Sequence, residues 1–416
     1  MNVTSASASA PSSLSGRRII ALVMMLFFAF GFCTVLVDTL VPKLKGLFAL
    51  NYAEAMLTQF CFFGAYFIVS LPAARLIRQL GYLESVTMGL VIMAAGCLAF
   101  TPAAEHGSYP AFLAALFVLA TGVTIVQVAA NPLAARVGDP RHAHSRLTLA
   151  QAFNSLATAI GPLFGAAFIL SDEGAAPIAS GLSAAAQRLE AGRSVQLPFL
   201  MIGLTLGLLA AICWACRRWA PASNDEAQGG SYLALLRRPR LMLGVLGIFL
   251  YVGAEVAIGS MLVNYLVQAS VLGTSISTAG SLVSVYWGLA MVGRFIGAGL
   301  LKRGRPGLLL AGCATAAGVL AMISLSTTGY VAAASILAIG LCNSIMFPTI
   351  FTLALEGSAE QAPRASGLLC LAIVGGAIIP VIVGAVADHS SLATALWVPV
   401  LCYAGIGAYG IYASKS

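Results

Sequence analysis

The chain has 416 residues, of which 60% are hydrophobic and only 9% charged, with a formal net charge of +8; mean hydropathy is +0.95. Soluble globular chains carry about 25% charged residues, so a water-soluble enzyme or binding domain is excluded. The unit of organisation is instead the membrane-crossing helix of about 20 apolar residues. Nucleic acid is not an indicated partner either. Lys and Arg occur in short hinges between apolar runs rather than along one basic face, which is the positive-inside pattern of a protein whose partner is the lipid bilayer.

Met1 to Gly16 is a Ser/Ala-rich tail, and Arg17 and Arg18 precede an apolar run that is too long for a signal-peptide core. Twelve apolar runs follow, at about 19–41, 55–80, 83–102, 109–136, 146–171, 197–216, 240–269, 278–301, 306–326, 329–355, 364–388 and 392–413. With the N-terminus inside, only Lys43, Lys45, Arg188 and Arg193 of the 22 Lys and Arg residues fall on the outer side. That asymmetry predicts both termini on the cytoplasmic side. The polar stretch Pro221 to Tyr232 divides the runs into two sets of six. The expected fold class is therefore an all-α integral membrane protein with 12 transmembrane helices in two pseudo-symmetric six-helix halves. Its parts are a tail over 1–18, a first half over 19–216, a linker over 217–239, a second half over 240–413 and a tail over 414–416.

Most of the nine cysteines sit inside apolar runs and read as small buried hydrophobes. Cys213 and Cys216 form a CxxC without the strand-helix context of a redox site. His142 and His144 lie in the loop after the fourth run, where exposure rather than metal binding is expected. No catalytic constellation, nucleotide-binding loop or cofactor motif is present, so neither an enzyme nor a cofactor is expected.

The two halves repeat a pattern. Gln127 precedes Pro132 by five residues in the fourth run, and Asn343 precedes Pro348 by five in the tenth. Proline-interrupted helices at corresponding places point to a transporter with its site near the bilayer midplane. Pro132 and Pro348 are accordingly candidate hinges. Arg75 and Arg294 occupy matching hinges of the two halves, as parts of a latch or as simple topology anchors.

Polar side chains at membrane depth usually face a bundle interior or a water-filled path. Two carboxylates qualify, Asp38 in the first run and Glu255 in the seventh. A carboxyl held out of water can take and release a proton near neutral pH; a packing hydrogen bond is the plainer role. The amides are Gln127, Asn131, Gln151, Asn154, Asn264, Gln268 and Asn343. Gln127 and Asn131 are four apart and share a helix face, as do Asn264 and Gln268. Amides donate and accept at once, which suits a neutral polyhydroxylated ligand, although each also suits a helix-helix contact or a carbonyl freed at a proline. The candidate ligand contacts are Asp38, Gln127, Asn131, Gln151, Asn154, Glu255, Asn264 and Asn343. Aromatic residues at the same depth are Phe60, Tyr66, Tyr265, Tyr286 and Trp287.

The stretches GVTIVQVAANP, LTLAQAFNS, YVGAEVAIGSMLVNY, NSIMFPTIFTLALEG and GLLCLAIVGGAIIP, spread over both halves, resemble the major facilitator superfamily. Within it they are most similar to the fucose-galactose-glucose proton symporter family. The resemblance implies uptake of a neutral monosaccharide with a proton through alternating access by two rocking halves. The expected location is a bacterial-type cytoplasmic (inner) membrane, and the expected functional unit a monomer. In fucose-transporting members an aspartate in the first span and a glutamate in the fourth are the key acids, and an asparagine in the fifth contributes to the sugar pocket. Asp38 and Asn154 match two of these, whereas Gln127 stands in place of the glutamate. An amide binds but carries no proton, so proton coupling is expected at Asp38, with Glu255 next. The superfamily's acidic residue between the second and third spans is replaced by Ala74-Arg75. Sodium-coupled sugar uptake and export of a drug or metabolite remain the alternatives, with a non-transporting membrane sensor behind them.

Overall fold

The structure, a computed structural model, describes residues 13–48, 52–105, 108–168, 184–220, 231–356, 358 and 361–415. A chain crossing lipid must satisfy its backbone internally, and the apolar runs accordingly form helices. The first half contains α1 (Ser13–Phe48), α2 (Tyr52–Leu80), α3 (Tyr82–Glu105), α4 (Tyr109–Arg136), α5 (Ala143–Phe168) and α6 (Ala184–Ala215). A short α7 (Tyr232–Leu236) follows, then α8 (Pro239–Val267), α9 (Ile276–Leu300) and α10 (Pro306–Ser326). The chain finishes with α11 (Gly329–Asn343), α12 (Met346–Leu355), α13 (Ala362–Leu371), α14 (Gly375–His389), α15 (Leu392–Ala395) and α16 (Trp397–Lys415). Eleven stretches among the described residues are long and apolar enough to span a membrane, and α5 holds the remaining place in the order. No strand occurs among the described residues.

The tenth and eleventh apolar runs are each divided, where the sequence suggests one span apiece. The tenth breaks between α11 and α12 at Ser344 and Ile345, and the eleventh turns through a 3-10 segment, Ala372–Val374. Pro348 explains the first break. Its ring has no N–H and blocks the bond to the carbonyl four residues earlier, that of Ser344. Arg294 on α9 takes up that carbonyl, donating from Nε at 3.3 Å. Pro132 leaves α4 continuous but frees the Val128 carbonyl in the same way. There the Ser366 hydroxyl of α13, from the other half, donates to it at 2.7 Å.

In the first half α3 packs on α4 and α6, α1 on α5, and α2 on α4; in the second, α10 packs on α16 and α11, and α8 on α14 and α16. With no hydrophobic drive between helices in lipid, close backbone approach supplies the contact energy. A Cβ at Gly122 would fall 2.5 Å from the Gly89 carbonyl oxygen, so α3 and α4 meet at this distance only through glycine.

The halves meet along two seams, α13 against α2 and α4, and α5 against α9 and α12. The Val128–Ser366 bond belongs to the first. A Ser366→Ala change leaves a buried carbonyl unpaired and is expected to cost about 1–3 kcal/mol. In a Pro132→Ala background that carbonyl regains its helical partner and the cost should shrink to under about 1 kcal/mol. A double-mutant cycle by denaturant titration in micelles measures the difference.

Candidate functional site

Between the halves lies a cavity of about 380 Å³, within the ~300–1,000 Å³ range of small-molecule sites. Its first-half wall is largely polar: Thr34 on α1, Thr58 and Gln59 on α2, Gln127 on α4, and Gln151 and Asn154 on α5, with Phe62, Phe63 and Tyr66 beside them. The second-half wall differs. It consists of Tyr251, Val252, Glu255, Val256, Gly259 and Ser260 on α8, Trp287 and Arg294 on α9, Phe347 on α12 and Ile373 in the 3-10 segment.

Asn154 donates to the Phe27 carbonyl at 3.2 Å, and Gly31 admits its side chain, since a Cβ there would lie 2.8 Å from Asn154 Cγ. The buried Oε1 of Gln127 has no hydrogen-bond partner among the described residues. Across the cavity Tyr251 OH donates to Glu255 Oε1 at 2.7 Å, and Arg294 stands 3.7 Å from the same carboxylate oxygen. The side chains of Arg294 and Glu255 are only 11% and 13% exposed. Arg294 also donates to the Ser155 hydroxyl on α5, so one guanidinium touches the cavity, the α11–α12 break and the opposite half.

The cavity brings together Gln127, Gln151, Asn154, Glu255 and Arg294. It does not include Asn131, Asn264 or Asn343. Asn131 is fully buried and points its amide nitrogen at Cys370 Sγ, 3.9 Å away on α13. Asn343 is equally buried and donates to Tyr286 OH at 2.8 Å, while Asn264 is exposed. Pro132 and Pro348 are buried in their helices, and Arg75 is exposed on α2. Asp38 stands on α1, four residues beyond the cavity-lining Thr34, and its side chain lies outside the described residues. Sequence reasoning passed over Tyr251, Thr34, Thr58, Gln59 and Phe347. Tyr251, Glu255 and Gly259 repeat at four-residue spacing and so share a helix face, a signal that was present in the sequence.

The seam near the α4–α5 loop holds further polar contacts. Arg146 folds back onto the Ala134 and Ala135 carbonyls at 3.2 and 2.6 Å, and Ser145 donates to the Ala298 carbonyl of α9 at 2.6 Å. His142 is exposed as expected, but His144 is buried. The reason is a set of partners from the other half: Nε2 meets Glu356 Oε1 at 2.9 Å and Nδ1 meets the Thr352 hydroxyl. Glu356 is also paired with Arg240 at the start of α8. Burial pushes the Glu356 carboxyl up, but His144 and Arg240 outweigh it and hold the group below its ordinary range.

Membrane-length helices in two halves that meet along two seams, with a cavity of amide, hydroxyl and aromatic side chains between them, define a solute carrier. The chain belongs to the Major Facilitator Superfamily, whose family model matches residues 19–380. It is 48% identical over 397 residues to a glucose/galactose transporter of Brucella abortus, covering 94% of this chain and 93% of that one. It is 32% identical over 412 residues to the L-fucose-proton symporter of Escherichia coli, covering 95% and 93%. Among solved structures, the crystal structure of the superfamily transporter FucP in the outward conformation superposes with a TM-score of 0.88 at 31% identity. That match covers 97% of this chain and 100% of FucP.

Two outcomes follow from the charges. Removing one partner of a buried ion pair leaves the other uncompensated, at a cost of about 3–5 kcal/mol. Glu255→Leu should therefore destabilise the protein by roughly that amount, and Glu255→Leu with Arg294→Met should recover only part of it in the same unfolding assay, because the Ser344 carbonyl then loses its donor. At the seam, the depressed folded pKa of Glu356 means its carboxylate adds stability above the ordinary value of 4.5 that is lost as pH falls through the folded value. The thermal midpoint should drop below pH 4.5, and Glu356→Gln should flatten that acid limb.

Proposed function

We propose that the protein is a secondary transporter that imports a neutral monosaccharide, a hexose of the glucose, galactose or fucose type, together with a proton by alternating access. One observation carries the substrate class. The cavity sets amides and hydroxyls of one half, Gln127, Gln151, Asn154, Thr34 and Thr58, opposite a carboxylate already engaged by Tyr251 and Arg294. An unpaired buried acceptor such as Gln127 Oε1 gains a hydrogen bond from a ligand hydroxyl, and recovering it restores energy that burial removed. A site of this kind recognises uncharged hydroxyls better than it recognises ions. The relatives named as glucose/galactose transporter and L-fucose-proton symporter support the same reading.

In this reading Asp38 carries the proton, and its neutral form permits the loaded cavity to reorient; Glu255 is the second candidate. Gln127, Gln151 and Asn154 hold sugar hydroxyls. Asn131 and Asn343 support the walls from behind through Cys370 and Tyr286, and Asn264 stands outside the pocket. The rocking units are residues 19–216 and 240–413, joined by the linker 217–239, with Pro132 and Pro348 as points of bending. Arg294 acts in the gate through Ser155, and Arg75 lies on α2 of the other seam. With both termini in the cytoplasm of a bacterial-type inner membrane, the seam near the α4–α5 loop is the cytoplasmic gate. The functional unit in this reading is a monomer, with the cavity residues named above all supplied by one chain.

The test is uptake in liposomes with the ion gradient set by choice. A proton gradient should drive hexose accumulation whether or not sodium is present, and sugar added to energy-depleted cells should alkalinise the medium. Asp38→Asn should retain sugar exchange at near wild-type rate while losing accumulation; full accumulation by that variant would sink the proton role of Asp38. Accumulation that demands sodium, or an outward-directed cycle, would overturn the proton-import reading.

A further inference from the structure

The second-half wall contains a large aromatic side chain that neither the amide set nor the ion pair employs. Trp287 is 41% exposed and lines the cavity, while its neighbour Tyr286 is fully buried. The indole is held on two sides. Its Cζ2 lies 3.2 Å from the point where a Cβ on residue 259 would stand, so the ring edge rests on the α8 backbone because that residue is glycine. On the other side it meets the Tyr286 ring edge-on, with centroids 5.1 Å apart and planes at 81°. Tyr286 is itself fixed, accepting from Asn343 Nδ2 at 2.8 Å. Gly340 is next to its backbone carbonyl and lets α11 close on α9 there. Asn343 thus reaches the cavity indirectly, through two aromatic rings.

We propose that Trp287 is the ring-recognising wall of the cavity, taking the apolar C–H face of a pyranose, and that Gly259 sets its position. The inference rests on the sugar reading above and adds what the site distinguishes. A pyranose is amphipathic, with hydroxyls around its rim and C–H groups on its faces. The first-half residues Gln127, Gln151 and Asn154 suit the rim, and an aromatic plane suits a face, since such planes supply apolar area in a fixed geometry. An open-chain polyol offers the same hydroxyls but no ring face. The polar wall alone binds both; the Trp287 wall selects the ring. Gly259 matters because a side chain there displaces the indole from this position. A methyl group demands a shift of a few tenths of an ångström, and a branched side chain demands more.

The experiment measures binding to the purified full chain by titration calorimetry, with D-glucose, D-galactose, L-fucose and the open-chain galactitol as probes. The wild type should bind its best pyranose about tenfold tighter than galactitol. Trp287→Leu should lose about tenfold for the pyranose and nothing for galactitol, and Trp287→Phe should stay within about threefold of wild type. Gly259→Val should mimic the leucine variant although the indole is present, and Gly259→Ala should fall between. If the leucine variant does not fold, the glycine pair carries the test. Equal losses for pyranose and galactitol, or wild-type binding by both Trp287→Leu and Gly259→Val, would overturn the inference while leaving the sugar reading intact. A wild type that binds none of the three pyranoses would overturn both.

Discussion

Arg294 is the residue on which the rest of this architecture depends. A guanidinium is always charged and has five donors, and one placed at membrane depth must spend them on protein partners. This one stands beside Glu255 on the same wall of the cavity, donates to the Ser344 carbonyl left open by Pro348 and crosses to Ser155 of the other half. The constraint runs both ways. The broken helix needs the donor, the donor needs the carboxylate, and the carboxylate is further anchored by Tyr251. Any movement that parts the halves at Ser155 therefore changes the surroundings of Glu255, so the cavity and the seam form one electrostatic unit.

The two prolines show how pseudo-symmetry is used unequally. Each frees one carbonyl by the same steric rule. In the second half the carbonyl is recovered within the half, by Arg294, and the helix breaks. In the first half it is recovered by Ser366 from the other half, and the helix stays whole. The first arrangement places a charge beside the cavity, and the second makes a seam contact that must be exchanged when the halves separate. The walls of the cavity share this inequality: aromatic rings line both, but the amides come from one half and the ion pair from the other.

Much of this was legible in the chain. The membrane class, the order of the spans, the Pro-marked helices and the family resemblance all rest on patterns that run along one dimension, namely apolar length, charge asymmetry and local motifs. Gln127, Gln151, Asn154 and Glu255 were visible because polar atoms at membrane depth are expensive and therefore rare. The same argument also selected Asn131 and Asn343, which face Cys370 and Tyr286 instead. His144, expected in an exposed loop, is buried by Glu356 and Thr352, residues more than two hundred positions away.

By itself, then, the sequence determined that the protein crosses lipid in helices and which residues are too polar to face the acyl chains. Only the tertiary structure decided which of those residues share a cavity. Gln127 and Asn131 illustrate why. A spacing of four puts both on one face of α4, yet one turn of helix separates open space from the packed surface of α13, where Cys370 stands. Helical period fixes the face a residue presents, but the depth at which a neighbouring helix crosses that face is set by long-range packing, and no local pattern records it.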